Sequence, residues 1–236
     1  MESKTRTHSI AAVKKEDLIW VYDLMVRARE MDEAEIRLRR QGAFQFQLSC
    51  SGHEAVQVVA AKLLRPGKDW FYPYYRDRTF VYGLGMSPAD LFRQPLGKRT
   101  DPSSGGRQMP NHFAAPELNI VSQSSPTGTQ FLQAVGTAEV KKLVRSLPPN
   151  PSLPTCSEDE LVYVSAGDGA TSQGELYEAI SAASLNQLPV LFVIQDNGYA
   201  ISVPTEVQTP GGSISRTFSD FPGLFVRELD GVDVFD

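Results

Sequence analysis

Asp168, in the turn Gly167–Asp168–Gly169–Ala170, and Asn197, in the turn Asp196–Asn197–Gly198–Tyr199, are the residues of this chain best suited to do chemistry. One carboxylate, one amide oxygen and a backbone carbonyl from the second turn make a hard, all-oxygen set. That set suits a Mg²⁺ that is also held by phosphate oxygens. The two turns are far apart in sequence, so the elements between them must bring them together. Leu161–Ala166 (LVYVSA) reads as a short apolar strand that ends in the first turn. Gly174–Leu185 carries Leu176, Ile180 and Ala183 at helical spacing. Pro189 interrupts the pattern, and Val190–Ile194 (VLFVI) is a continuous apolar run. Strand, helix and strand form a βαβ unit with parallel strands. Both polar turns then lie at one carboxyl edge of the sheet, where open α/β sheets bind ligands.

Three further groups of residues could serve the same edge. Tyr74–Tyr75–Arg76–Asp77 follows the aromatic, extended run Trp70–Tyr75 and opens a helix expected over 76–83. A helix start favours anions, and a guanidinium pairs well with phosphate oxygens; the alternative is a surface Arg76 paired with Asp77. In Ser124–Gln130, prolines and small residues precede a helix. They leave carbonyls and hydroxyls free for a cation or a polar ligand. His112 sits in the Gly- and Pro-rich loop Arg99–Asn119. It could donate to a developing oxyanion or make a structural hydrogen bond. His53 is expected to pack in the first turn of its helix, and His8 to lie in an N-terminal arm.

The remaining pattern gives the scaffold. Residues 1–15 read as a flexible arm and 16–236 as one α/β domain. Glu16–Arg40 is a long helix with Leu18, Val21, Tyr22 and Met25 on one face, stopped near Gly42. Ser51–Gly52–His53–Glu54 has the form of a capping box, with Ser51 as the cap and Glu54 reaching back. Ala55, Val58, Val59 and Leu63 continue that helix. A short helix over 88–92, a helix over Gly128–Arg145, a Pro-rich connection over 146–159 and a final strand Leu224–Leu229 complete the expectation.

Composition narrows the class. The chain has 236 residues, 41% hydrophobic, and a net charge of −5. That length supports one α/β core, and the acidic balance argues against nucleic acid as the main partner. No apolar run reaches membrane-spanning length, and the start lacks a secretory signal, so the expected setting is the cytoplasm. Cys50 and Cys156 support no disulfide framework, and the three histidines have no zinc-ligand spacing.

The Gly-Asp-Gly turn and its Asn-bearing partner resemble the thiamine diphosphate motif. More narrowly, GDGATSQGELYEA and NGYAISVPTE resemble the α-type E1 component of 2-oxoacid dehydrogenase complexes. The resemblance implies a thiamine diphosphate-binding α/β fold, with a mostly parallel sheet and helices on both faces. It implies that Asp168, Asn197 and the Tyr199 carbonyl hold Mg²⁺, and that Gly167, Gly169 and Ala170 border the diphosphate. Asp196 stands where the family usually has the first Asn of a pair, which adds a negative charge near the metal. Tyr75 and Arg76 would clamp the diphosphate. By likeness to the branched-chain SSP-x-x-TQ stretch, Ser124, Pro126, Thr129 and Gln130 would surround K⁺, while Ser125 and Thr127 approach thiamine. The family often has Leu where Thr127 stands. GRQMP-x-H, ending in His112, also favours the branched-chain type.

The implied activity is decarboxylation of a branched-chain 2-oxoacid with transfer of the acyl group to the lipoyl arm of an E2 partner. The glutamate that activates the cofactor belongs to the β-type subunit, so Glu54, Glu175 and Glu178 are read as capping and helix-surface residues. The chain alone is expected to be inactive. The resemblance runs from about residue 16 to the C-terminus, where VRELDGVDVFD ends as a further βα unit begins. No histidine follows His112, so the domain is expected to be truncated, or to be the front part of a longer or fused polypeptide. A pyruvate or acetoin dehydrogenase, and a non-catalytic module that retains the fold, are the alternatives.

Overall fold

The computed structural model describes residues 13–236. His8 and most of the expected arm lie outside the described residues. Lys15 is already helical, within α1 (Lys15–Arg40). Acidic Glu16 and Asp17 in its first turn, and Arg37, Arg39 and Arg40 in its last, complement the helix dipole. The buried stripe is not the expected one. Tyr22 points outward, and Leu24, Ala28, Met31, Asp32 and Glu35 face inward. The buried face carries two carboxylates, which the apolar pattern could not reveal. Glu35 pairs with Arg78, both nearly fully buried.

The sheet has three parallel strands in the order β1-β2-β3: β1 (Trp70–Tyr72), β2 (Val162–Gly167) and β3 (Val190–Gln195). Tyr163 pairs with Phe71 on one side and Leu191 on the other, and Gly167 pairs with Gln195. Alternation of side chains then divides the core between two faces. On one, Tyr72, Val162, Val164 and Ala166 pack against Phe131, Ala134 and Ala138 of α5 (Thr129–Ser146) and Leu176 and Ile180 of α6 (Gly174–Asn186). On the other, Phe71 and Tyr163 meet Ala28 and Met31 of α1, Ala61 of α2 (Glu54–Leu63), and Phe80 and Val81 of α3 (Arg78–Leu84). Phe80 stacks on Tyr163 with ring centroids 4.3 Å apart. Helices thus cover both faces of a parallel sheet, as expected for an α/β fold. Gly83 lets α3 approach α2: a Cβ there would fall 2.6 Å from that of Ala61.

Other expectations need correction. The capping box does not form. His53 takes the N-cap position without a side-chain bond. Ser51 instead donates to buried Asp32, and Glu54 reaches back only to the Gly52 N–H. Asp32 also accepts from Ser49 Oγ, Gln47 Nε2 and the Cys50 N–H, so a tertiary carboxylate outcompetes the local cap. The third helix starts at Arg78, leaving Tyr75 and Arg76 in the turn before it. Leu63 closes α2 as expected, with its side chain exposed. α4 (Pro88–Arg93) forms as expected, capped by Ser87. After β3 comes a two-stranded hairpin, β4 (Tyr199–Ala200) with β5 (Val203–Pro204), then α7 (Thr205–Gln208) and α8 (Ile214–Phe218). Leu224–Leu229 is not a strand. Leu224 and Val226 pack on the α5–α6 side of the core, but among the described residues no strand pairs their backbone.

Candidate functional site

Because Gly167 and Gln195 are partners in the β2–β3 ladder, the chain leaves the sheet at two adjacent points. Asp168 follows one, and Asp196–Asn197 the other. Asp168 opens a 3₁₀ turn, Asp168–Ser172, and is 2% exposed. Its backbone carbonyl accepts from Thr171 Oγ1 at 2.7 Å and from Gln208 Nε2 at 2.8 Å. Its carboxylate Oδ2 is buried without any hydrogen-bond partner. Burial pushes this carboxyl above its ordinary pKa, and the charge of Asp196 pushes it the same way. The backbone N–H groups of Gly169 and Asn197 oppose the shift. A buried acceptor left unpaired costs free energy, and a bound cation removes that cost.

The second turn is built to stay open. Asp196 Oδ1 accepts from the Gly198 N–H at 2.9 Å and from Thr205 Oγ1 at 3.1 Å, which ties the turn to α7. Asn197 Oδ1 takes the Tyr199 N–H at 3.3 Å, and Asn197 and Tyr199 are both exposed. Gly169 allows the two turns to close on each other, since a Cβ there would lie 2.8 Å from Ala200 Cβ. Among the described residues no group of three or more His, Cys, Asp and Glu side chains is placed to hold a metal. The donors at this edge are one carboxylate, one amide and a carbonyl, a set that fits Mg²⁺ shared with phosphate oxygens.

Arg76 stands in the turn between the neighbouring strand β1 and α3. It does not pair with Asp77. Arg76 Nη1 donates to the Ser49 carbonyl at 2.6 Å, and its guanidinium carbon lies 5.2 Å from the centre of the Tyr75 ring. Its other nitrogens have no protein partner among the described residues, so they are free for an anion. The adjacent Tyr74 hydroxyl is buried and unpartnered, and would lie 4.0 Å from a Cβ on Gly167.

Asp77 turns inward instead. Its Oδ1 accepts from Gln195 Nε2 at 2.7 Å, and its Oδ2 from Ser165 Oγ. Burial pushes its carboxyl up to about 6, against the hydrogen bonds from Ser165 and Gln195. Gln195 Oε1 in turn accepts from Gln57 Nε2 at 3.0 Å and lies 2.8 Å from His53 Nδ1. Sequence reasoning missed this network, together with Gln208 and Ser49. The one available signal was that Gln195 directly precedes the Asp196–Asn197 turn.

The start of α5 reaches the same edge. Gln130 Nε2 donates to the Ser165 carbonyl of β2 at 3.1 Å, and Gly128 sits against Gln173. Thr129 Oγ1 donates to the Pro126 carbonyl at 3.0 Å, and Ser125, Pro126 and Thr127 are exposed while Ser124 is half-buried. His112 is buried and joins this segment. Its Nδ1 lies 3.2 Å from the Pro110 carbonyl, which can only accept, so Nδ1 carries the hydrogen. Nε2 then accepts from Ser125 Oγ at 2.9 Å. The loop that carries His112 is ordered by buried Asp101, which accepts from the N–H groups of Ser103, Ser104 and Gly106.

A family model described as "Dehydrogenase E1 component" matches residues 22–235. The chain is 36% identical over 233 residues to "2-oxoisovalerate dehydrogenase subunit alpha" of Bacillus subtilis, covering 98% of this chain and 67% of that one. It is 35% identical over 222 residues to "3-methyl-2-oxobutanoate dehydrogenase subunit alpha" of Mycobacterium tuberculosis (strain ATCC 25618 / H37Rv), with 93% and 53% covered. Identity to the human "2-oxoisovalerate dehydrogenase subunit alpha, mitochondrial" is 30% over 221 residues, with 94% and 46% covered. The chain therefore spans two thirds of the length of the first relative and about half of the other two.

Proposed function

Because the chain belongs to the dehydrogenase E1 component family, we propose that it is the α-type, diphosphate-binding part of a branched-chain 2-oxoacid dehydrogenase E1. That family depends on thiamine diphosphate. The observation that carries the reading is the buried, unpartnered Asp168 Oδ2 just past the end of β2, beside the Asp196–Asn197 turn that leaves β3, with Arg76 in the turn that follows the adjacent strand β1. In this reading Asp168, Asn197 and the Tyr199 carbonyl hold Mg²⁺ against the diphosphate. The free nitrogens of Arg76 pair with phosphate oxygens, and the Tyr75 ring supports the guanidinium. Gly167, Gly169 and Ala170 let the backbone approach. Ser125 and Thr127 border the thiamine end. Ser124, Pro126, Thr129 and Gln130 surround a K⁺ that orders the start of α5.

Bound there, thiamine diphosphate would supply the nucleophilic carbon needed to release CO₂ from a 2-oxoacid. The chain's own contribution is orientation and charge. His112 is held with a defined tautomer by Pro110, and its Nε2 meets Ser125, the residue assigned above to the thiamine end. In that tautomer Nε2 carries no hydrogen, so its proposed role as donor to a developing oxyanion requires Nε2 first to take up a proton from solvent and give up the hydrogen bond it accepts from Ser125. No glutamate of this chain is assigned to activate the cofactor. Glu54 is committed to Arg29 and the Gly52 N–H, although it completes no capping box. Activation is assigned to a β-type E1 subunit or fused domain, and the acyl acceptor to a lipoyl-bearing E2. The proposed setting is the cytoplasm; among the described residues no helix is long and apolar enough to cross a membrane.

The substrate preference rests on relatives named for 2-oxoisovalerate and 3-methyl-2-oxobutanoate. The test is turnover by the chain assembled with its β-type partner and lipoyl-E2. We expect 3-methyl-2-oxobutanoate to be used in preference to pyruvate. A clear preference for pyruvate would overturn the substrate assignment, and failure to reduce lipoyl-E2 with either would overturn the dehydrogenase reading.

A further inference from the structure

His53 has no role in the function proposed above, yet it has the surroundings of a ligand-contacting group. Its ring orientation is fixed from the far end of the buried network. Gln195 Nε2 donates to the Asp77 carboxylate, so Gln195 must turn its oxygen toward His53. The same oxygen accepts from Gln57 Nε2, which supports that orientation. His53 Nδ1 therefore carries a hydrogen and donates to Gln195 at 2.8 Å. Nε2, on the opposite side of the ring, has no protein partner among the described residues. The ring is half-buried rather than packed away in the first turn of α2. Three charged groups bear on it: Arg76 from the turn after β1, Asp168 from the end of β2, and Glu54 from α2 itself. Glu54 is already paired with Arg29. The other two are the residues assigned to the diphosphate and its metal.

We propose that His53 is a further diphosphate-contacting residue of this site, with Nε2 donating to a phosphate oxygen while Gln195 and Asp77 hold the ring in place. The inference rests on the reading of the site as a metal–diphosphate site. With Nδ1 already donating to Gln195, donation from Nε2 requires the imidazolium, so the ring gains a proton as the anion binds. Burial lowers the His53 pKa before that event, the Gln195 bond opposes the shift, and Arg76 adds to it. The anion reverses the balance by placing negative charge at the free nitrogen. No covalent bond is made or broken; the only exchange is one proton from solvent to Nε2.

The test is titration calorimetry of the chain assembled with its β-type partner, using thiamine diphosphate with Mg²⁺ in two buffers of different protonation enthalpy. Wild type should take up protons at neutral pH on binding. His53→Ala should bind about tenfold more weakly, as expected for loss of one hydrogen bond to a charged group, and should lose the uptake. His53→Gln, whose amide can donate while neutral, should recover affinity without the uptake. Mg²⁺ with inorganic pyrophosphate should show the same ranking. In wild type, without any substitution, the His53 ring resonance should move toward its protonated position on adding either ligand. Unchanged affinity and uptake in His53→Ala, or a loss confined to thiamine diphosphate and absent with pyrophosphate, would overturn the proposal. If Asp168→Ala abolishes binding while His53→Ala does not, only this inference fails. If wild type binds neither ligand, or Asp168→Ala binds normally, the underlying site reading fails with it.

Discussion

Replacing Asp168 by Asn should push stability and cofactor binding in opposite directions. In the ligand-free chain the Asp168 carboxylate is buried, and its Oδ2 has no partner. A buried polar group left unpaired costs about 1–3 kcal/mol, and more when charged. Asn keeps the shape and removes the charge, but its amide inherits the same lack of partners. The expected gain is therefore about 1 kcal/mol, or roughly 2–4 °C in a chain of this size. The sign with pH follows from the raised folded pKa. The penalty in wild type is present above that pKa and fades as pH falls through it, so the advantage of the variant should shrink in acid. Adding thiamine diphosphate and Mg²⁺ at about 100 times Kd should stabilise wild type by about 2.7 kcal/mol. The variant should gain nothing. Thermal unfolding of the assembled enzyme, with and without ligand, measures both effects. An Asp168→Asn protein that is less stable without ligand and is shifted normally by it would refute the reasoning.

Other perturbations follow from the same contacts. Gly169→Ala places a Cβ 2.8 Å from Ala200 Cβ and should cost about 1–3 kcal/mol by overpacking, with weaker cofactor binding by calorimetry; unchanged affinity would contradict the close approach of the two turns. Asp196→Asn keeps an acceptor for the Gly198 N–H but removes a charge that Asp168 feels, so Mg²⁺ affinity at saturating thiamine diphosphate should fall about fivefold, on the order of 1 kcal/mol. Glu35→Ala strands the Arg78 guanidinium in the core and should lower stability by about 3–5 kcal/mol in denaturant melts. Asp77 has its pKa raised from 3.8 to about 6, so its contribution to stability should improve as pH falls from 7 toward 5; denaturation midpoints should lose that part of their pH slope in Asp77→Asn.

The part of this fold legible in the sequence is the part made by local pattern. The runs LVYVSA and VLFVI, with a helix between them, form β2, α6 and β3 within a residue or two of expectation. That unit alone brings Asp168 beside the Asp196–Asn197 turn. Elements settled by tertiary partners were not legible. The buried side of α1 includes Asp32 and Glu35, because distant Ser49, Ser51 and Arg78 satisfy them. Ser51 has a cap's sequence context, but the Asp32 carboxylate takes its hydroxyl. Leu224–Leu229 opens with the apolar run Leu-Phe-Val, yet strand structure needs a paired backbone that no described neighbour provides. For the proposed site, Asp168, Arg76 and Asn197 could be nominated from the sequence because their residue types and turns are chemically specific. The Asp77–Gln195–His53 network could not, since Gln195 and Asp77 are 118 residues apart and each is unremarkable alone.

The central claim is that metal and diphosphate share one site, built on Asp168 and the Asn197 turn. Mn²⁺ in place of Mg²⁺ makes that claim visible by electron paramagnetic resonance. With the chain assembled with its β-type partner, Mn²⁺ should bind tightly only when thiamine diphosphate is present, because the protein offers one carboxylate, one amide and one carbonyl. The bound signal should disappear in Asp168→Ala. Tight Mn²⁺ binding without the cofactor, or a bound signal that persists in Asp168→Ala, would contradict the account.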